Sequence, residues 1–229
     1  VNIRENVARV LGRIAAACAR AGRRPEDVKL VAVSKAVSPE LIRQAYEAGL
    51  RDFGENRVQE AEAKRPALAD LDATWHLVGH LQTNKAKPAR ELFQYIHSLD
   101  SLRLAERLDR VASPGGQRLP VLLEVNLGEE LTKSGAREAE LLQLALGVSQ
   151  LPTLELRGLM AMPPLFEDPD KTRPFFRRLR ELAEMIESHR LPGVSMRELS
   201  MGMSHDFEVA VEEGATMIRI GTAIFGPRQ

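Results

Sequence analysis

One pattern constrains this chain more than any other: a short apolar segment followed by an amphipathic stretch long enough for a helix, repeated from end to end. The apolar segments fall at Val28–Lys35, Asp52–Asn56, Trp75–Gly79, Tyr95–Leu99, Pro120–Asn126, Leu154–Met160, Met196–Ser200 and Thr216–Ile220. Helices are predicted between them, ending near Gly49, Leu68, Leu92, Ala112, Val148 and His189, with a short one over His205–Glu213. A first helix is predicted over Asn2–Ala21, where Val7, Val10, Leu11, Ile14 and Cys18 recur at helical spacing. Ser38-Pro39-Glu40 reads as a helix start, a capping hydroxyl followed by proline in the first turn, and Asp100 or Ser101 as another cap. Short strands alternating with helices mean parallel crossover units, and eight of them close naturally into a (β/α)8 TIM barrel. An open doubly wound sheet is the alternative. No linker divides the chain, so residues 1–229 are expected to form a single barrel domain, with the additional N-terminal helix covering its bottom.

Composition narrows the function. The formal net charge is +0, which argues against holding nucleic acid or an anionic membrane by bulk charge. One Trp, two Tyr and seven Phe offer no stacking platform for bases. The single cysteine, Cys18, allows neither an internal disulfide nor a thiolate metal site, and no apolar run reaches the ~18 residues of a membrane span. A reducing, cytoplasmic location is the expectation.

In such a barrel the chemistry sits at the C-terminal ends of the strands. Lys35 ends the first strand, on the face of Val31 and Val33; a desolvated amine there favours imine formation with an aldehyde. Asn56 ends the second strand, His80 follows the third, Asn126 ends the fifth and Met160 the sixth. The loop Ser200-Met201-Gly202-Met203-Ser204 leads into a helix, and Gly221-Thr222 follow the last strand, where a further helical turn can begin. Loops after the seventh and eighth strands often form a phosphate site, because glycine lets backbone N–H groups approach the anion and hydroxyls add bonds. An amine facing a phosphate cradle suggests a phosphorylated aldehyde: pyridoxal phosphate (PLP), or the substrate of a sugar-phosphate aldolase. Arg219 favours PLP, since a guanidinium can donate to a pyridine nitrogen and keep it unprotonated. Its structural alternative is an ion pair with Glu55, Glu124 or Glu198. An aldolase would want an acid or second lysine, for which only Glu55, Glu124 and Lys133 present themselves. His76 and His80 share a strand face by parity but do not complete a metal site, so none is expected. His76 reads as a core or cavity histidine with one hydrogen bond, His97 as mid-strand, His189 as surface, and His205 as a cap or lining of the phosphate loop. Asn84-Lys85-Ala86-Lys87 reads as a basic helix start near the mouth and Glu129–Gly135 as a polar loop suited to a lid.

The segments Val33-Ser34-Lys35, Phe53-Gly54-Glu55-Asn56-Arg57, Trp75–Lys85, Lys133-Ser134-Gly135, Gly158-Leu159-Met160, Leu199–Asp206 and Arg219–Gly226 together resemble, in order and over nearly the whole chain, the YggS/PROSC family of pyridoxal phosphate homeostasis proteins. His205 departs from the polar residue that many relatives carry there. The resemblance implies a barrel like the N-terminal domain of alanine racemase and PLP held on Lys35 as an internal aldimine. It implies a phosphate lined by Ser200, Gly202, Met203, Ser204, Gly221 and Thr222, with Arg219 facing the pyridine nitrogen and Asn56 near the ring. With His80 and Met160 added from their positions, these residues make up the candidate cofactor-binding set, and no catalytic residue is assigned. The implied role is intracellular storage or delivery of PLP, with apo forms of PLP-dependent enzymes as partners. The alternative is a PLP-dependent amino-acid racemase, or a related enzyme, of low activity. A two-base racemase needs a base opposite the lysine; Tyr46 and Tyr95 are badly placed for it, leaving only His80 or His205 as weak bases. The related racemases take that tyrosine from an additional β domain, usually across a dimer. No such domain is read in this chain, so a monomer is expected.

Overall fold

The structure, a computed structural model, describes residues 2–113, 115–128 and 134–227. Eight parallel strands close into a barrel in chain order. They are β1 (Lys29–Val33), β2 (Asp52–Glu55), β3 (Thr74–Leu77), β4 (Tyr95–Leu99), β5 (Leu119–Val125), β6 (Leu154–Ala161), β7 (Glu198–Ser200) and β8 (Met217–Ile220). The pairing of β1 with β8, Leu30 against Ile218 and Ala32 against Ile220, closes the ring and removes the open-sheet alternative. Between the strands lie α2 (Pro39–Glu47), α3 (Val58–Lys64), α4 (Ala86–Leu92), α5 (Leu102–Arg110), α6 (Leu141–Ser149), α7 (Arg173–Ser188) and α8 (Phe207–Glu212). The chain opens with α1 (Ile3–Arg20) and ends in the one-turn α9 (Thr222–Phe225).

Each strand is buried on both faces, so the strands read as nearly continuous apolar runs. The outward residues Leu30, Ala32, Phe53, Trp75, Leu77, Ile96, Val121 and Leu123 join the helices in one large core. A separate small cluster, Tyr95, Leu122, Met160 and Met217, fills the lumen.

The N-terminal helix does not cover the bottom of the barrel, as expected from its position before β1. It packs on α8, α9 and α2 in the outer wall. The reason is that α9 is too short to cover the seam between β8 and β1, and the apolar stripe Ile3, Val7, Val10, Ile14 and Cys18 does so instead. Arg13 pairs with Glu208, and Arg20 with Glu212, to fix it there.

The two predicted caps have opposite outcomes. Ser101 caps α5 as predicted, its hydroxyl accepting from the Leu104 N–H at 3.4 Å. Ser38 makes no side-chain cap on α2; its hydroxyl instead bonds the Glu40 carboxylate and holds that group below its usual range. Several strands end earlier than predicted: β1 stops at Val33 and β3 at Leu77. One ladder-like bond continues past each, Ser34 N–H to Gly54 O (2.8 Å) and Val78 N–H to Glu55 O (2.9 Å), before the chain turns away. Of the predicted lid, Glu129–Lys133 lie outside the described residues, as does Pro114 of the predicted turn.

Candidate functional site

The mouth is built on β7, β8 and β1, which are neighbours in the ring. After β7 the chain turns at Gly202, whose φ of +92 lies in the left-handed region and whose Cβ, if present, would be 2.6 Å from that of Ala210. Only glycine meets both conditions at low cost. The Gly202 carbonyl accepts from the Arg219 N–H (2.9 Å), and the Ser204 hydroxyl accepts from the Ala223 N–H (3.3 Å), so the loops after β7 and β8 are tied together. Gly221 lies against β1, with room for no more than a Cβ 3.2 Å from the Val33 carbonyl oxygen. Among the described residues, the backbone N–H groups of Ser204, Gly221 and Thr222 carry no hydrogen bond within the chain. Uncommitted donors converging from two loops suit an anion such as a phosphate. Asp206 shapes this cradle: nine-tenths or more buried, it accepts from the Met203 N–H at 2.7 Å. Burial pushes its carboxyl up, partly offset by that bond and by Arg219. The bond also removes Met203 N–H from the donors available to a ligand.

Lys35 stands two residues past β1, half-buried, beside this cradle. Its position is set from behind. The Ser34 hydroxyl donates to Glu55 Oε1 (2.7 Å), and Lys64 Nζ donates to the Ser34 carbonyl (2.7 Å) and to Glu55 (3.0 Å). The Ala36 N–H donates to Glu60 Oε2 (3.1 Å). Ala36 has a φ of +56, a left-handed conformation that costs a non-glycine residue roughly 1–2 kcal/mol. Strain of this kind next to a candidate reactive group is maintained only where surrounding contacts over-determine it. Burial pushes the Glu55 carboxyl up, and Ser34 and Lys64 pull it back.

Arg219 points into the lumen and is buried. It makes none of the three anticipated ion pairs: Nη1 donates to Ser200 Oγ at 2.6 Å and Nη2 to the Ala161 carbonyl at 2.9 Å. Burial lowers its pKa to about 10, with Asp206 and Glu124 pulling it back up, so it is charged at neutral pH. Three of its five N–H donors are left over for a ligand's acceptor atom. Ser200 corrects one expectation. Its hydroxyl is fully buried and taken by Arg219 and by His97, whose Nδ1 lies 2.8 Å away, so it is turned from the phosphate loop into the lumen. His76 departs too: it makes two hydrogen bonds rather than one, Nδ1 to His97 Nε2 at 2.9 Å and Nε2 to Asp52 Oδ1 at 2.8 Å.

The remaining predicted residues divide. Asn56 sits at the rim against Gly79, where a Cβ would lie 2.3 Å from the Asn56 carbonyl oxygen; glycine permits this close approach of β2 and β3. Met160 is fully buried in the lumen cluster beneath the mouth. His80 is an exposed rim residue 3.3 Å from Asp100, far from sharing a face with the buried His76. With Arg57, Glu60, Gln82 and Lys85 it lines a cavity of about 500 Å³ beside β2 and β3. His205 stands beside the phosphate loop; its Nε2 bonds the carbonyls of Phe166 (3.0 Å) and Glu167 (3.1 Å) and ties the loop after β6 to the cradle. No group of three or more metal-ligating side chains occurs among the described residues.

Sequence reasoning missed the groups that act through others: Glu55, Glu60 and Lys64 behind Lys35, His97 behind Ser200, and Asp206 under the cradle. A signal existed for Asp206, which stands just before an apolar helix, where a short carboxylate can accept from a main-chain N–H a few residues earlier. None existed for Lys64, which reads as an ordinary charged helix residue.

The profile of the alanine racemase N-terminal domain family matches residues 7–229. A pyridoxal phosphate homeostasis protein of Aquifex aeolicus is 48% identical over 229 residues, covering 100% of both chains. The structure of PipY of Synechococcus elongatus with PLP bound is 45% identical, with a TM-score of 0.85 over 98% of this chain and 100% of that one. An alanine racemase of Clostridium difficile, at 15% identity, shares the fold alone, with a TM-score of 0.78 over 99% of this chain and 56% of its own.

Proposed function

This chain belongs to the YggS/PROSC family of pyridoxal phosphate homeostasis proteins, within the alanine racemase N-terminal domain family, and we propose that its barrel mouth binds PLP covalently through Lys35. PLP brings an aldehyde, a pyridine nitrogen and a phosphate, and the mouth has a counterpart for each. The observation that carries the reading is the set of uncommitted N–H donors at Ser204, Gly221 and Thr222, on two loops tied together at the mouth beside the end of β1. Those donors, with the Ser204 and Thr222 hydroxyls, hold the phosphate. Lys35 attaches to the aldehyde with release of water, on a main chain held still by Glu55, Glu60 and Lys64. Arg219, charged at neutral pH, donates to the pyridine nitrogen and keeps a proton off it. A ring held unprotonated is a poor electron sink, which suits carriage better than catalysis.

The role is PLP storage or delivery rather than turnover, with apo forms of PLP-dependent enzymes as recipients. The tyrosines support it: Tyr46 lies on α2 beneath Arg51, and Tyr95 is buried in the lumen cluster, so neither faces Lys35 as a second base. The working unit is a monomer, which sedimentation of the purified chain tests. No helix among the described residues is long and apolar enough to cross a membrane.

The experiment is borohydride reduction of the protein mixed with PLP, followed by peptide mapping and by the visible absorption spectrum. Cofactor fixed on Lys35, and lost in Lys35→Ala, is the expected result. A folded protein with no cofactor on Lys35 would overturn it. Transfer to an apo-enzyme no faster than free release would remove delivery and leave storage.

A further inference from the structure

The lumen holds a polar chain that runs nearly the length of the barrel. From the mouth it passes from Arg219 Nη1 to Ser200 Oγ (2.6 Å), Ser200 Oγ to His97 Nδ1 (2.8 Å), His97 Nε2 to His76 Nδ1 (2.9 Å) and His76 Nε2 to Asp52 Oδ1 (2.8 Å). Lys29 Nζ lies 3.4 Å from the same Asp52 oxygen. His76, His97 and Ser200 are fully buried, and only the Asp52–Lys29 end reaches solvent.

The chemistry of the two ends dictates the direction of every bond between them. A guanidinium can only donate, so Ser200 Oγ accepts from Arg219. The Ser200 proton then has one partner in this set, His97 Nδ1, which must be the unprotonated nitrogen. That leaves the His97 proton on Nε2, donating to an unprotonated His76 Nδ1. The His76 proton is therefore also on Nε2, donating to a carboxylate that accepts from Lys29 as well. Every polar atom is satisfied with both imidazoles neutral. Reversing the chain would set a ring lone pair against the Asp52 carboxylate and leave the Ser200 proton without an acceptor. Burial lowers the pKa of both histidines, that of His97 well below its ordinary value, in accord with neutral rings.

We propose that Asp52, His76, His97 and Ser200 are positioning residues: a one-way hydrogen-bond relay, anchored on the barrel floor, that aims the Arg219 guanidinium at the mouth. Ser200 and the Ala161 carbonyl hold two corners of the guanidinium plane, and the relay fixes which way the Ser200 lone pair points. The orientation of the arginine is thereby set by residues that touch no ligand. The inference rests on the reading of the mouth as a PLP site only for its consequence, not for the relay itself.

The test has two arms that separate these. Nitrogen-15 NMR of the full chain without ligand, labelled at histidine, is expected to find His76 and His97 neutral and protonated on Nε2. Either ring carrying its proton on Nδ1, or on both nitrogens, at neutral pH overturns the relay. In the second arm PLP is titrated into wild-type and His97→Phe protein. His97→Phe removes the acceptor of Ser200 and is expected to weaken PLP binding about ten-fold, roughly the worth of one charge-assisted hydrogen bond, and to move the absorption maximum of the bound cofactor while Lys35 is still the residue labelled. Wild-type affinity and spectrum in His97→Phe overturn the positioning role. If His97→Phe fails to fold, the tautomers and slow exchange of the Arg219 Nη protons in wild type decide the matter, fast exchange counting against it. If wild type takes up no PLP, the first arm still stands and it is the functional reading that falls.

Discussion

The two sides of the mouth are held by opposite means. Behind β1 the supporting groups are charged and lie outside the barrel: Glu55 on β2, with Glu60 and Lys64 on α3, grip the main chain at Ser34 and Ala36, either side of Lys35. Behind β8 they are a serine and two histidines strung through the lumen, and they grip a side chain, that of Arg219. The difference follows the work proposed for each. An amine that forms and releases a covalent bond needs a fixed root and a movable tip. A guanidinium that only donates needs a fixed tip.

The contrast can be broken most severely on the charged side. Lys64→Met leaves the Glu55 carboxylate buried without its cation and should cost about 3–5 kcal/mol in urea unfolding. Lys64→Met combined with Glu55→Gln should recover most of it; a single variant as stable as wild type would show that the pairing holds nothing. On the lumen side, His97→Leu strands Ser200 and His76 and should cost about 3 kcal/mol. Its neighbour Ile96 faces the other way, into the helix layer, and Ile96→Val should cost about 1 kcal/mol. Equal losses for the two would mean that the lumen chain is ordinary packing.

The floor of the barrel sharpens the comparison through pH. Burial pushes the Glu198 carboxyl up to about 7, Lys29 pulling it back. The folded state therefore keeps a proton that the unfolded chain has released from near pH 4.5, so this residue subtracts stability as pH rises from there towards 7. Glu198→Gln should melt higher than wild type at pH 8, with the gain shrinking towards pH 5. A pH-independent difference would sink this account. The smallest effect is expected at Ala36. Relief of its left-handed φ in Ala36→Gly, set against the greater freedom of glycine in the unfolded chain, should stabilise by under about 1 kcal/mol. A clear loss of stability would mean that the conformation carries no strain.

The barrel was legible because its signal is local. Each strand is a run of apolar residues and each helix a periodic stripe, and only closure through Leu30–Ile218 and Ala32–Ile220 had to be assumed. Lys35, Arg219 and the two glycine-bearing loops were legible because strand ends can be counted and chemistry at a barrel mouth is concentrated there. Ser200 was misassigned to the phosphate side because a hydroxyl in a small-residue loop looks the same from the sequence whichever way it turns. Its partner His97 is 103 residues away in the chain.

What the sequence determined by itself, then, was the order of elements and the residues delivered to the mouth, since both depend on spacings of a few positions along one chain. What only the tertiary structure decided was which polar groups meet: α1 filling the wall beside α8, Lys64 reaching Glu55, His76 joined to Asp52 and His97. Closing a barrel brings together side chains from strands far apart in sequence, and in its interior most buried donors pair with acceptors from other strands. Those pairings are a property of the closed ring and leave no periodic trace in the chain that forms it.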